Sequence, residues 1–245
     1  MWLFRRPILE KLESLYYPKK IYLIIVLFIA TLISLISVYS IQYPSGERPY
    51  LFIFWNTFLA WVTVGVAVLL DLIFSYSRKL VRAVMLIFIG ATWLFFFPNA
   101  PYLVTDLLHV FARYSFDPSE RFWIDPVFWQ HLFTLFTIAI LGVLLGSYSL
   151  FSVQNLVKKS FGVIASWIFV IIVFILSSFG IYIGRFVRWN SWDVLMRPGY
   201  IFEEIVIMLT DASTLYHVFS FCKFMFMILI ISYVPIYVIT RTFSR

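Results

Sequence analysis

The feature that most constrains this chain is a succession of apolar stretches at positions 21–41, 50–74, 80–97, 131–151, 161–183 and 217–239. Each is long enough to cross the hydrocarbon core of a bilayer, which takes about 20 residues of helix. Backbone groups in lipid have no water to bond, so they must pair within a helix or a closed barrel. These runs lack the short alternation of barrel strands. They predict an all-α membrane protein with six transmembrane helices. Composition agrees: 62% of the 245 residues are hydrophobic and 13% are charged, too apolar for a soluble domain. No repeat or low-complexity tract interrupts the pattern, and no soluble domain fits between the spans. The expected organisation is a basic cytoplasmic arm over 1–20 and a single six-span membrane domain over 21–245.

Lys and Arg set the orientation. With the N-terminus inside, the inner segments hold twelve of them: Arg5, Arg6, Lys11, Lys19, Lys20, Arg78, Lys79, Arg82, Lys158, Lys159, Arg241 and Arg245. The outer segments hold six: Arg48, Arg113, Arg121, Arg185, Arg188 and Arg197. Both termini are therefore expected in the cytoplasm. The net charge of +7 is then an orientation signal suited to anionic inner-leaflet lipid, and no nucleic-acid partner is expected. Trp55, Trp93, Trp123, Trp129, Trp189 and Trp192 fall near the expected outer boundary, where an aromatic belt belongs. The single cysteine, Cys222, excludes an internal disulfide, and no cleavable signal peptide is evident.

The outer connections after the third and fifth spans are long and carry most of the polar chemistry. Short interfacial helices are expected in both. The first begins in "FFFPNAPYLVTDLLHV", residues 95–110. Pro98 and Pro101 should push Phe97 and Ala100 out of the α region and end the third helix near Phe97. Asn99 can bond the freed backbone groups. Thr105 can cap a short helix over 106–114 that aligns Asp106, His109 and Arg113. Two readings stand side by side. In one, the stretch is a capped turn. In the other, Asn99, Tyr102, Thr105, Asp106 and His109 line an outward-facing pocket, with Asp106 and His109 as its acid–base pair.

The second stretch is "GIYIGRFVRWNSWDVL", residues 180–195. Arg185 and Arg188 are either interfacial anchors or a guanidinium cradle for phosphate or carboxylate, with Asn190 and Asp193 beside them. The three histidines, His109, His131 and His217, all fall on the expected outer side. Together with Asp106 they form a candidate site for a divalent metal such as zinc.

Two charges lie within spans. Asp71 is expected to pair with Arg78 or Lys79, and Lys223 needs a partner such as Glu203, Glu204 or Asp211. Gly142–Gly146 and Gly180–Gly184 have the spacing of close helix approach, within the bundle or in a homo-oligomer. No phosphate loop, Gly-x-Ser-x-Gly or His-Glu-x-x-His occurs.

The stretches "FFPNAPYLVTDLLH" and "GIYIGRFVRWNSWD", with six spans around them, resemble the family called domain of unknown function 1361. The likeness runs from the second span to the last and leaves out the arm to Lys20. It implies a bacterial inner-membrane (plasma-membrane) multi-pass protein and supplies no activity. Function classes follow from the residues alone. One is an outward-facing binder of, or enzyme on, an anionic lipid or envelope precursor. A second is a non-enzymatic subunit engaging a partner membrane protein, and a third is a transporter.

Overall fold

The computed structural model describes residues 10, 12–75, 79–114, 121–187, 196 and 198–242. Among them the chain is helical, without strands. Helix α1 is Lys19–Ser40, α2 is Phe52–Ser75 and α3 is Lys79–Phe96. A single turn, α4 (Asn99–Tyr102), passes through a 3-10 stretch (Leu103–Leu107) into α5 (Leu108–Arg113). Helix α6 covers Pro126–Tyr182 and is interrupted at Gly162. Helices α7 (Pro198–Thr210) and α8 (Ala212–Thr242) complete the described chain. Five helical stretches are long and apolar enough to cross a membrane, and the longest, Pro126–Val187, is the one divided at Gly162.

Gly162 has φ of 90° and ψ of 178°. That backbone is one L side chains rarely adopt, so a helix that runs on through Lys158 and Lys159 breaks at a glycine. The chain packs as two compact units, one up to Ser166 and one from Trp167.

In the first unit the helices alternate in direction. Ser152 bonds Lys20 and Thr134 bonds Ser37, so α1 and the first part of α6 are antiparallel. The 17 residue steps from Lys20 to Ser37 match the 18 steps from Thr134 to Ser152, a length of about 26 Å at a rise of about 1.5 Å per residue, close to a hydrocarbon core. Gly142 lies near the middle of that length. A Cβ built there would stand 2.4 Å from the carbonyl oxygen of Ala100 and 2.7 Å from Cβ of Leu103. At Gly146 the nearest atom is Cδ of Pro101, at 3.5 Å. The Gly142–Gly146 spacing is therefore used inside the chain, seating the 98–103 segment on α6.

This changes the reading of the third span. The third helix ends at Phe96 as expected, but the chain does not become irregular there, because short helical stretches continue to Arg113. Ala100 is helical, and Pro98 and Leu103 keep αR angles. The prolines occupy the first turn of a restarted helix, where the missing N–H groups have no intrahelical partner in any case. Asn99 donates to Phe96 O at 2.8 Å, and Thr105 donates to Tyr102 O at 2.7 Å. Asn99 thus bonds a freed carbonyl as expected, whereas Thr105 satisfies a carbonyl instead of capping a helix over 106–114. Leu107 holds that N-cap position, before α5.

Ala100, Leu103 and Val110 are buried in one core with Leu135, Ile138, Leu141 and Leu145 of α6 and Ile53, Ala60 and Val64 of α2. Trp93 is also inside this unit, at 1% exposure, and donates to Ser149 at 2.6 Å; it is not part of an interfacial belt. Trp55, Trp123 and Trp129 are exposed, as belt residues are, and Trp189 and Trp192 lie outside the described residues.

In the second unit, Tyr182, Met208 and Val218 form a buried cluster. Helix α7 buries Ile201 and Met208 while Phe202 and Glu203 are exposed. The Asp211 carboxylate accepts from Ser213 Oγ at 2.6 Å and from the Thr214 N–H at 2.7 Å, capping α8. These bonds hold its pKa down to about 2.

Candidate functional site

Asp106 is fully buried. Asn56, from the first turns of α2, donates to its Oδ2 at 3.0 Å. His109, one turn on, is 21% exposed and places Nδ1 at 3.1 Å from the carbonyl oxygen of Asp106 and at 3.7 Å from its carboxylate Oδ1. The first distance is a hydrogen bond; the second is a close electrostatic neighbour beyond bonding length. Both neighbours of Nδ1 are acceptors, so Nδ1 carries the ring proton. In the neutral ring the lone pair then lies on Nε2, and the side chain is partly exposed.

Phe52 organises the other side. The His109 ring lies 4.5 Å from the Phe52 ring, and the Arg113 guanidinium stands 5.5 Å from the same ring. Tyr43 donates to the Arg113 carbonyl, tying the α1–α2 connection to the end of α5. The sequence-expected trio therefore forms a gradient, with Asp106 buried, His109 half-buried and Arg113 exposed.

Behind this trio lies an aromatic collar. His131 Nδ1 is 2.8 Å from the Tyr50 hydroxyl, and its ring meets Tyr50 and Tyr114 edge-on. Burial pushes the Tyr50 phenol well above its ordinary pKa, with the Tyr43 hydroxyl adding to the effect. Tyr114 donates to Asp125, whose other oxygen accepts the Val127 N–H at 2.9 Å. The Tyr114 bond, then the Val127 bond, holds Asp125 below the usual carboxylate range.

The remaining expected residues fall as follows. Asn99 and Thr105 are occupied by backbone carbonyls of their own segment, and Tyr102 is half-buried on the same turn. Arg185 lies in a π-helical turn, Ile183–Val187, at the end of α6. Arg188, Asn190 and Asp193 lie outside the described residues.

The metal expectation is not met among the described residues, where no group of three or more His, Cys, Asp or Glu is placed to hold an ion. Each histidine has its own local partner: His109 the Asp106 carbonyl, His131 Tyr50, and His217 the Tyr182 hydroxyl at 3.2 Å. Lys223 is exposed beside Phe224 and makes no ion pair with Glu203, Glu204 or Asp211 among the described residues.

Two participants were missed. Asn56 is the lone amide in "LFIFWNTFLAW", and a polar side chain within a span is itself a signal. Lys20 was counted with the basic arm, yet it is 4% exposed and pairs with Asp71 at 2.6 Å. Asp71 was expected to pair with Arg78 or Lys79; Arg78 and the Lys79 side chain lie outside the described residues.

A family model described as protein of unknown function (DUF1361) matches residues 55–231. No curated protein and no solved structure matches the chain.

Proposed function

The chain belongs to the DUF1361 family, and we propose that it is a bacterial inner-membrane protein that binds an anionic lipid or envelope precursor beside His109 and Arg113. The observation that carries this reading is the fully buried Asp106 carboxylate behind a partly exposed imidazole. A buried carboxylate is costly. Here Asn56 donates to it and His109 lies beside it, an arrangement suited to orienting His109 and supporting positive charge on it. The partly exposed imidazole can accept a proton from a bound hydroxyl or water. Arg113, one turn further along, supplies a planar cation for a phosphate or carboxylate.

The expected topology puts this end of the bundle outside the cytoplasm, so the ligand would come from the outer leaflet or the envelope. The alternative of a subunit docking through its glycine seam has lost one support, because Gly142 is filled by the chain's own Ala100 and Leu103.

Native mass spectrometry of the full-length protein released from membranes tests the reading. A phosphate- or carboxylate-bearing lipid should accompany the parent protein and be depleted at least several-fold in Arg113→Gln. His109→Gln should retain the adduct, and Arg82→Gln, at the opposite end of α3, should leave it unchanged. Equal lipid retention by the parent and Arg113→Gln would end the proposal.

A further inference from the structure

At the other end of the first unit lies a second charged cluster. Lys20 Nζ stands 2.6 Å from Asp71 Oδ2 and 2.6 Å from Ser152 Oγ, and Ser152 donates to the same Oδ2 at 2.6 Å. Tyr17 adds a third donor to Oδ2, at 3.2 Å. All the donors therefore converge on one carboxylate oxygen. The other, Asp71 Oδ1, is buried with no hydrogen-bond partner among the described residues, and so is the Tyr148 hydroxyl. Asp71 is fully buried and Tyr148 is 5% exposed. Tyr148 precedes Ser152 by four residues on α6, one turn away on the same face. The Asp71 carboxylate is close enough to act electrostatically on the Tyr148 hydroxyl.

The two orphaned atoms are complementary, yet they do not bond each other. Oδ1 can only accept, and a phenol O–H can donate. A buried polar atom left unpaired is destabilising, a charged one most of all. Whatever joins these two must donate to Oδ1, accept from Tyr148, carry no charge and need little room. A metal cation has no hydrogen to donate and would face the Lys20 ammonium on the neighbouring oxygen. Water meets every requirement. Buried waters bridge otherwise unsatisfied polar groups, making about two to four hydrogen bonds each.

The segment 12–18 forms a strap over this end. Leu15 is fully buried, Lys159 Nζ holds Ser14 through its carbonyl and hydroxyl, and Tyr16 meets the Phe151 ring at 5.7 Å. Tyr17 reaches from the strap to Asp71 itself. A molecule held between Asp71 and Tyr148 is thereby kept apart from bulk solvent.

We propose that Asp71 and Tyr148 form a binding site for one internal water molecule, which accepts the phenol O–H and donates to Oδ1. The water gives the carboxylate a donor on each oxygen and leaves its pairing with Lys20 intact. It also adds a second link between α2 and α6, beside the direct Ser152–Asp71 bond.

X-ray radiolytic footprinting of the full-length protein in nanodiscs, read by mass spectrometry, tests this. Hydroxyl radicals born from a held water hydroxylate the side chain beside it, even where bulk water does not reach. Phe174, 1% exposed among aromatic rings of the second unit, is the dry reference. After correction for intrinsic reactivity, label at Tyr148 should exceed label at Phe174 by about ten-fold, as expected of a ring bonded to an ordered water. Tyr148→Phe keeps the ring and removes the phenol anchor, so most of the label at that position should disappear. Equal labelling of Tyr148 and Phe174 in the parent would mean that no water is held. Undiminished labelling in Tyr148→Phe would mean that the hydroxyl does not hold it. Either result overturns the proposal.

Discussion

Asp71 and Asp106 are both fully buried carboxylates on the inner faces of one helical unit, and they differ in their partners. Asp71 has a buried ammonium, a buried hydroxyl and a strap across it. Asp106 has a neutral amide and an imidazole with a fifth of its surface exposed. The first carboxylate closes a charge pair; the second stands behind a group that reaches the surface. Access, more than charge, separates the two regions, and this separation can be tested one substitution at a time.

The largest effect is expected where a buried charge loses its counter-ion. Lys20→Met or Asp71→Leu alone should destabilise the protein by about 3–5 kcal/mol, whereas the double substitution should recover most of that loss. Reversible unfolding in mixed micelles measures both. If the singles cost under about 1 kcal/mol, the pair behaves like an exposed one, and the contrast with Asp106 collapses.

Next comes the seam that holds the second region in place. In Gly142→Ala the new methyl must displace the Ala100 carbonyl or Leu103, and overpacking of this kind costs about 1–3 kcal/mol. Gly65→Ala, with open space around it, is the matched control and should be close to neutral or slightly stabilising. Equal costs at the two glycines would mean that the 98–103 segment does not bear on α6 as described.

Much of this was legible beforehand, and the misses share a cause. Hydropathy locates spans because the bilayer imposes a length, and the predicted alternation of helix direction in the first unit agrees with the Lys20–Ser152 and Ser37–Thr134 contacts. The third helix ends at Phe96, as the prolines indicated, but Pro98 and Pro101 were read as leading into non-helical chain, and Ala100 is helical. Only the packing of Ala100 against Gly142 reveals that the helix restarts. Asp106 and His109 were legible as a pair by spacing, but the burial of one and exposure of the other depends on Asn56, which lies fifty residues away in the chain. Asp71 was assigned to its sequence neighbours for the same reason: its lysine comes from a helix that sequence distance cannot relate to it.

A smaller effect on stability is expected at Asp106. Asparagine preserves shape and keeps an acceptor for Asn56, so Asp106→Asn should cost about 1 kcal/mol, well below the loss at Asp71. The His109 environment should change more than the stability does. With the carboxylate gone, the imidazole loses a neighbour that favours its protonated form, so its titration midpoint, followed by proton NMR of the C2–H, should move to lower pH. An unchanged midpoint would detach Asp106 from the role of orienting His109.

The smallest effect is expected at Asp125, a carboxylate at the same end as Asp106 but open to solvent. It precedes Pro126, the first residue of α6, and accepts the Val127 N–H at 2.9 Å, so it stands at the N-cap with proline following. Asparagine caps about as well as aspartate, and Asp125→Asn should leave unfolding nearly unchanged at neutral pH. Acid should distinguish the two. The folded-state pKa of Asp125 is depressed by Tyr114 and the Val127 N–H, so its contribution is complete above the ordinary carboxylate range and disappears as pH falls through the lowered value. The parent should therefore lose stability relative to the asparagine variant only below that range. Amide hydrogen exchange at Val127 and Phe128, compared in the two proteins as pH is lowered, reads this directly after correction for intrinsic exchange. If the difference between the proteins instead develops near neutral pH, the group responsible is not Asp125. By position that source would be His131, whose ring meets Tyr114 beside it, and the collar rather than the cap would then be the pH-sensitive element at this end.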